Sequence, residues 1–340
     1  MAKRIEWVDI VKGFGILFVM LGHSMLSKAD AVWMYSFHLG LFFFCTGYTF
    51  HPERYATLGA LCKSRVKSIL LPYAVYSVIW LVFETTVSTV HDRAFSMGLF
   101  LQRTAGIFLQ MRGTDYHGNC WFLPAIFLMD VLFYLVLKAT KENAMLRHII
   151  SAAAMLAGFC YISFLAPKVP IPWHPDIVLM VMIIVDFGYT VREKEIPLNR
   201  LPVAAAAAVL SIGLTVLEYR SGFRFDMYEN SVGNIFCYLI GNAAGIILIT
   251  ALSVKIGKNA FLSYIGRNSL IFYALHKIFY RIEKPVLSAK FAAWTGLDSE
   301  HLLHQYAVSL VMVLSALLGI YILNEIKLRC KQKRADRKTN

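Results

Sequence analysis

Long apolar stretches separated by short polar segments dominate the chain. Ten stretches come near the roughly 20 residues that a helix needs to cross the hydrocarbon core of a bilayer. The predicted spans are 9–27, 34–50, 69–88, 120–138, 148–166, 175–191, 201–218, 233–254, 267–281 and 303–326. The pattern therefore predicts an all-α integral membrane protein with ten transmembrane helices. It has a membrane domain over 1–326 and a basic tail over 327–340.

Segment 94–110 is apolar but contains Gln102, Arg103 and Gln110. Without it as a span, and with a cytoplasmic N-terminus, 22 Lys and Arg residues lie inside and 10 outside, residues at span edges being counted with the adjoining segment. With it as an eleventh span, the numbers become 13 inside and 18 outside. Because cytoplasmic loops carry the excess of basic residues, we predict that both termini are cytoplasmic and that 94–110 lies near the outer surface. The tail is predicted to be a disordered topology anchor, with acidic lipid heads as its alternative partner.

The composition agrees with a membrane protein, because 58% of the 340 residues are hydrophobic and only 16% are charged. The net charge of +13 does not indicate a nucleic-acid-binding protein, since the basic residues lie in short loops and form no stripe with interleaved aromatics.

The first apolar stretch is interrupted by Glu6, Asp9 and Lys12, which favours a retained helix over a cleaved signal peptide. No C-x-x-C pair occurs, so neither a disulfide framework nor a zinc site is expected, and no metal is predicted. The cysteines are Cys45, Cys62, Cys120, Cys160, Cys237 and Cys330.

The first span contains Lys12 and His23, which are eleven residues apart and which we place deep inside one helix. Eleven steps bring a helix back to within about 20° of its starting direction and about 16 Å along its axis. Ionisable groups in a span usually face a bundle interior or an aqueous cavity, and a neutral imidazole is a common general base. The alternatives are a buried histidine bonded to a neighbouring helix and an Asp9–Lys12 ion pair. That ion pair would leave His23 unexplained.

Further polar residues stand at or near the predicted span ends. In loop 51–68, Arg65 and Lys67 have the charge to hold phosphates, although positive-inside placement alone would explain them. His38 and Tyr48 flank the second span and either shape a cavity or belong to an ordinary core. Other candidates at span entrances or at membrane depth are Asn119, Trp121, Asp130, Asp186, His276 and Lys277.

Four patterns in order along the chain carry a resemblance to a known family. The first is a basic residue followed by a histidine eleven positions on, met by Lys12 and His23. The others are FH-x-x-LFFF-x-x-GY at 37–48, WFL-P at 121–124 and GxNSL…H at 266–276. On these motifs the chain resembles the membrane acyltransferase 3 family, and within it the bacterial fucose 4-O-acetylase-like branch. Relatives often carry Arg-x-x-Arg before the third span; here Arg65 matches the first arginine, but Ser68 occupies the second place.

The resemblance implies an O-acetyltransferase in the bacterial inner membrane. An acyl group, expected to be acetyl from acetyl-CoA, would pass to a hydroxyl of a cell-surface or lipid-linked carbohydrate. His23 would be the general base and Lys12 would position the donor, with donor phosphates near Arg65 and Lys67. The expected partners are the lipid bilayer, the acyl-coenzyme A and the sugar. Further substrate contacts are expected from Asp9, His38, Tyr48, Asp115, His117, Asn119, Trp121 and His276.

Two rival classes share the buried ionisable residues. The first is a multi-pass transporter or flippase for a polysaccharide precursor, although the inverted halves common in transporters are not evident. The second is a sensor or scaffold, which would tolerate replacement of Lys12 and His23 without losing any acylated product.

Overall fold

A computed structural model describes residues 4–116, 118–141, 143–165, 169–229 and 231–339, with side chains as far as residue 333. Within these ranges the regular secondary structure is helical, apart from an isolated β-bridge between Asp226 and Ser231. The α-helices are α1 (Glu6–Gly22), α2 (Lys28–Tyr35), α3 (His38–Thr49), α4 (Leu58–Arg65), α5 (Leu71–Asp92), α6 (Met97–Leu109), α7 (Phe122–Thr140), α8 (Ala144–Cys160), α9 (Pro175–Glu193), α10 (Leu201–Arg220), α11 (Ile235–Ile256), α12 (Ala260–Arg267), α13 (Ser269–Thr295) and α14 (Leu302–Thr339). A 3₁₀ turn at Pro52–Arg54 and π-helical turns at Val66–Leu70 and Tyr161–Leu165 complete the regular structure.

The helices form two compact units, and the first consists of the two ends of the chain. It contains residues up to 34 and from 258 onward, so that α1 packs against α12 and α13 packs against α14. Gly266 in α12 is required by the close approach to α1, because a Cβ atom there would lie 1.8 Å from the carbonyl oxygen of Asp9. This glycine opens the GxNSL motif, so the motif begins at a position of helix packing.

The second unit comprises residues 35–257, with α9 at its centre between α3 and α8. Gly47 of α3 lies directly against α9, where an added Cβ atom would be 1.9 Å from the carbonyl oxygen of Val185. Small residues of this kind let membrane helices approach closely enough for dispersion contacts between backbones. The Gly-Tyr pair that ends the second-span motif therefore includes a packing contact.

All ten predicted spans are helical, but the described residues contain six helices that are long and apolar enough to cross a membrane. These are Leu58–Asp92, Phe122–Thr140, Ala144–Leu165, Leu201–Arg220, Ile235–Ile256 and Leu302–Lys333. Of the other predicted spans, α1 has only 17 residues, and α9 and α13 contain several charged side chains. Helix α6 has 13 residues, or about 20 Å, which is too short for a hydrocarbon core of about 30 Å. Helix α6 is therefore not among the six candidate spans, and the location of 94–110 near the outer surface stays a prediction.

Three features differ from the sequence predictions. Helix α1 ends at Gly22, so His23 is its C-cap residue rather than a residue deep inside it. The second predicted span is broken, because α2 ends at Tyr35 and α3 begins only at His38. The backbone of 327–339, predicted to be disordered, continues α14; its many Lys, Arg and Gln residues have good intrinsic helix propensity.

Ion pairs connect α4 to α7 and α8 to α9 within the second unit. The Arg65 Nε and Asp130 Oδ2 atoms are 2.7 Å apart, and the Arg147 Nε and Asp186 Oδ1 atoms are 2.6 Å apart. The Asp130, Arg147 and Asp186 side chains are each only 1% exposed. The two aspartates that stood out at membrane depth therefore have structural partners.

Candidate functional site

His23 lies where α1 ends and the chain turns away. Its backbone N–H points to the carbonyls of both Val19 and Met20, at 3.3 Å each. The Ser24 hydroxyl donates to the carbonyl of Leu21 at 2.7 Å, which satisfies another group of the last turn. The His23 side chain is half-buried. The helix end thus fixes the position of the imidazole, and part of the side chain stays exposed.

The ring of His23 stacks on the ring of His276 from α13. The ring centroids are 5.3 Å apart and the planes differ by 20°. His276 is 1% exposed, and its Nδ1 lies 2.9 Å from the carbonyl of Tyr273 and 3.1 Å from that of Phe272. Because carbonyls only accept, Nδ1 carries the hydrogen and Nε2 is the acceptor nitrogen. Among the described residues Nε2 has no hydrogen-bond partner. His276 thus offers His23 a fixed ring face.

Lys12 is half-buried on α1 and has no ion-pair partner within the described part of the chain. Asp9, the partner considered from the sequence, is instead paired with Arg4, whose Nε donates to Asp9 Oδ2 at 2.6 Å. The Asp9–Lys12 interpretation is therefore wrong, because Asp9 already has its counter-charge. What remains is an ammonium group on the helix that His23 caps, with no carboxylate of the described residues paired to it.

The two basic residues predicted to hold donor phosphates differ in their surroundings. Arg65 forms an ion pair with Asp130, and its guanidinium carbon also lies 5.8 Å from the ring centroid of Tyr55. Lys67 is exposed on the π-helical turn that follows α4. Lys67 is the more accessible cation of the two, while Arg65 has a structural contact to maintain.

His38 and Tyr48 lie at the two ends of α3. His38 is 7% exposed, and its ring meets that of Tyr35 edge-on with centroids 4.8 Å apart. Tyr48 is half-buried, and its carbonyl accepts a hydrogen bond from Arg192 Nη1 at 3.3 Å. Both residues are thus part of the packing of the second unit, and their contact with a substrate stays a prediction.

Asn119 lines a cavity of about 310 Å³ between α5, α6 and the segment that leads into α7. Asp115 lines the same cavity, whereas His117 lies outside the described residues. The full lining is Ser77, Trp80, Leu81, Glu84, Leu99, Gln102, Arg103, Ile107, Asp115, Gly118, Asn119 and Cys120. Two of the predicted substrate contacts, Asp115 and Asn119, thus line one cavity that has both polar and apolar walls.

Trp121 is buried in an aromatic cluster. Its ring lies 5.4 Å from that of His174 and 5.3 Å from that of Tyr228. Trp173 and His174 have φ angles of 64° and 55°, a left-handed conformation that is uncommon for such residues. Burial, together with the nearby Arg112 guanidinium, lowers the pKa of His174 to about 3, so this ring is neutral at physiological pH.

A comparison with family models gives the broader identity. The model of an acyltransferase domain, that of the acyltransferase 3 family, matches residues 5–325. The chain belongs to the acyltransferase 3 family. The match extends over the ranges of both units, from before Lys12 to beyond His276. No curated protein and no solved structure matches the chain.

In this acyltransferase 3 chain, sequence reasoning missed three residues that stand out in the structure. Glu84 and Arg103 face the cavity that Asn119 lines, and His174 is buried with neither ring nitrogen hydrogen-bonded among the described residues. Glu84 carried a usable signal, because it is an ionisable residue inside predicted span 69–88. No sequence signal marked His174, because its left-handed backbone conformation and its contacts with other side chains form only when the chain folds.

Proposed function

We propose that the chain is a membrane O-acyltransferase that moves an acyl group, here assigned as acetyl, from acyl-coenzyme A to a hydroxyl of a cell-surface or lipid-linked carbohydrate. Membership in the acyltransferase 3 family supports acyl transfer. The observation that carries the site is the stack of His23 on His276 at the end of the helix that contains Lys12. The motif resemblance supports an acetyl donor and the fucose 4-O-acetylase-like branch.

The proposed setting is the bacterial inner membrane, with ten spans and both termini in the cytoplasm. The distribution of Lys and Arg supports this orientation, and the helices found at all ten predicted spans are compatible with it. Helices shorter than a bilayer, or with several charges, cross where neighbouring helices or an aqueous cavity surround them. In this arrangement α6 lies on the outer side.

In the proposed reaction His23 removes the proton of the acceptor hydroxyl. The hydroxyl oxygen forms a bond to the thioester carbonyl carbon, and the carbon–sulfur bond then breaks. The leaving thiolate takes the proton back from the His23 imidazolium, so that the products are the sugar ester and free coenzyme A. General base catalysis of this kind is typically worth about 10²–10⁴-fold in rate. Transfer through an acyl-histidine at the same ring is a second route.

His276 would keep the His23 ring oriented during this proton transfer. Its own ring is anchored to the α13 backbone through Nδ1, so the stacked face does not rotate. A catalytic imidazole usually needs such a third group to fix its orientation. His276 is therefore proposed as a positioning residue beside the base, and direct substrate contact by its Nε2 is the alternative proposed from the sequence.

Lys12 would bind an anionic part of the donor. The rise of about 1.5 Å per residue places it about 16 Å along α1 from His23, a separation suited to a long donor. The pantetheine arm would then follow α1, with the thioester at His23 and phosphate toward Lys12. Lys67 and Arg65 are proposed as further phosphate contacts on the strength of their charge and of the partial Arg-x-x-Arg match.

The direct test is a transfer assay with purified protein in detergent. Acetyl-CoA labelled in the acetyl group is supplied with membrane glycans of a strain lacking the gene, and no ion gradient is present. We expect labelled glycan esters and an added mass of one acetyl group in mass spectrometry. A transporter or flippase would yield no ester under these conditions, which would refute the proposal.

Replacing Lys12 by methionine is expected to raise the apparent KM for acetyl-CoA by about tenfold, with a much smaller change in kcat. A charge-assisted hydrogen bond to an anion is typically worth enough for an effect of this size. Lys12→Arg preserves the charge and should retain most of the affinity. Lys28→Met, on the exposed surface of α2, is the matched control. An unchanged donor KM in Lys12→Met would remove this lysine from donor binding.

A further inference from the structure

The cavity that Asn119 lines contains more chemistry than the predicted sugar contacts account for. Five side chains decide its character: Trp80, Glu84, Arg103, Asp115 and Asn119. Together they bring a large aromatic ring, two carboxylates, a guanidinium and an amide into a space of about 310 Å³. The cavity belongs entirely to the second unit.

Glu84 is the least expected of these residues. It lies in α5, part of the candidate span Leu58–Asp92, about two turns before the end of that helix. Its carboxylate oxygens accept no hydrogen bond and form no ion pair in the described part of the chain, although its backbone carbonyl accepts from Ser88 and Arg103. A carboxylate in an apolar helix is costly unless a polar interior or a ligand solvates it. The cavity is where this carboxylate finds such surroundings.

Arg103 is held in place by hydrogen bonds that use only one of its guanidinium nitrogens. Its Nη1 donates to the Glu84 carbonyl and to the Ser88 hydroxyl, both at 2.9 Å, and these bonds connect α6 to α5. Its Nε and Nη2 make no further hydrogen bond among the described residues, and Arg103 and Glu84 are not ion-paired. The cavity therefore presents a fixed donor and a separate acceptor on neighbouring helices.

Other contacts stiffen the walls. The Gln110 side-chain amide donates to the Tyr73 hydroxyl at 2.6 Å, and that hydroxyl donates to the carbonyl of Ile107. The Gln102 amide reaches the Asp115 carbonyl at 3.4 Å and ties α6 to the segment before α7. Because these bonds join protein groups to one another, a ligand would meet an organised site and lose little free energy in ordering it.

We propose that this cavity binds an uncharged hexose or deoxyhexose unit of the acceptor, with Glu84 accepting from sugar hydroxyls, Arg103 donating to sugar oxygens and Trp80 forming the apolar wall. Hydroxyl groups both donate and accept, which matches a lining that offers carboxylates beside a guanidinium and amides. The two carboxylates and one guanidinium leave the lining net negative, which disfavours the phosphates of coenzyme A. This subsite rests on the proposed function, because it assigns the carbohydrate acceptor to a place.

The test measures sugar binding without requiring transfer. Saturation-transfer NMR is recorded on purified protein in detergent with the methyl glycosides of fucose, glucose, galactose and N-acetylglucosamine, one at a time. We expect at least one glycoside to bind. Glu84→Gln should weaken its binding about tenfold or more, and Arg103→Gln should do the same. The matched control is Asp92→Asn, an exposed carboxylate at the end of α5 that does not line the cavity, which should leave binding unchanged.

The outcomes separate this inference from the proposed function. Loss of binding in Glu84→Gln and Arg103→Gln, with thermal unfolding as in the wild type, supports the subsite even if no acyl transfer is found. If Glu84→Gln does not fold, Asp115→Asn, at an exposed position in the segment before α7, replaces it as the carboxylate variant whose sugar binding is measured. Three outcomes would overturn the subsite: unchanged glycoside binding in all three variants, displacement of the glycoside from this cavity by coenzyme A, or no binding of any glycoside. The transfer assay would then still decide the reaction.

Discussion

His23→Ala should lower kcat for acyl transfer by about 10²–10⁴-fold, the range expected when a general base is removed. The loss should fall on kcat rather than on the KM for acetyl-CoA, because the proposed role of His23 is proton transfer and not donor binding. The measurement is the initial rate of labelled acetyl transfer, together with the amount of folded protein recovered in the membrane. A packing role alone would reduce folded protein in step with activity.

Two variants make this result specific. His91→Ala removes an exposed histidine at the end of α5 and should retain full activity. His276→Phe keeps an aromatic face against His23 but removes both nitrogens, so it should lose much less activity than His276→Ala if positioning is the role of this residue. Equal losses in the two His276 variants would indicate that its Nε2 contacts the substrate. Full glycan acetylation by His23→Ala would end the proposed mechanism.

Arg147→Met is expected to destabilise the folded protein by about 3–5 kcal/mol, the cost of leaving a buried charge without its partner. The Arg147 side chain is 1% exposed, and it joins α8 to α9 through Asp186 Oδ1 at 2.6 Å, Glu193 Oε2 at 2.8 Å and Thr190 Oγ1 at 3.0 Å. Methionine fills a similar volume but leaves Asp186 with His148 as its remaining partner, at 2.6 Å. The measurement is the free energy of unfolding in detergent, obtained from the near-UV circular dichroism signal.

A double variant distinguishes a lost ion pair from lost packing. Arg147→Met combined with Asp186→Leu removes both charges and should recover part of the loss, because no uncompensated buried charge remains. Arg200→Met, an exposed arginine before α10, is the control and should change stability by no more than about 0.5 kcal/mol. If Arg147→Met unfolds like this control, the network is not a major source of stability.

The amino-acid sequence by itself determined the class of protein and the location of its helices. Apolar runs of bilayer length depend on local composition, so helices were found at all ten, and six helices of the described residues are long and apolar enough to cross a membrane. The polar residues within 94–110 and the distribution of basic residues predict that this segment does not span. The ordered motifs predicted the family that the match over residues 5–325 shows. The residue types at positions 12 and 23 predict a reaction centre there, and this stays a prediction. The break after Gly22 depends on capping contacts that periodicity does not encode.

Only the tertiary structure decided which polar groups satisfy one another. Arg147 of α8 pairs with Asp186 of α9, and the rings of His23 and His276 meet across more than 250 residues of chain. Glu84 and Arg103 came to line one cavity without pairing. Helical periodicity places a side chain on a face, but the partner of a buried charge is set by the helix that packs there. That choice depends on close approaches such as those at Gly266 and Gly47, which involve residues far apart in the sequence.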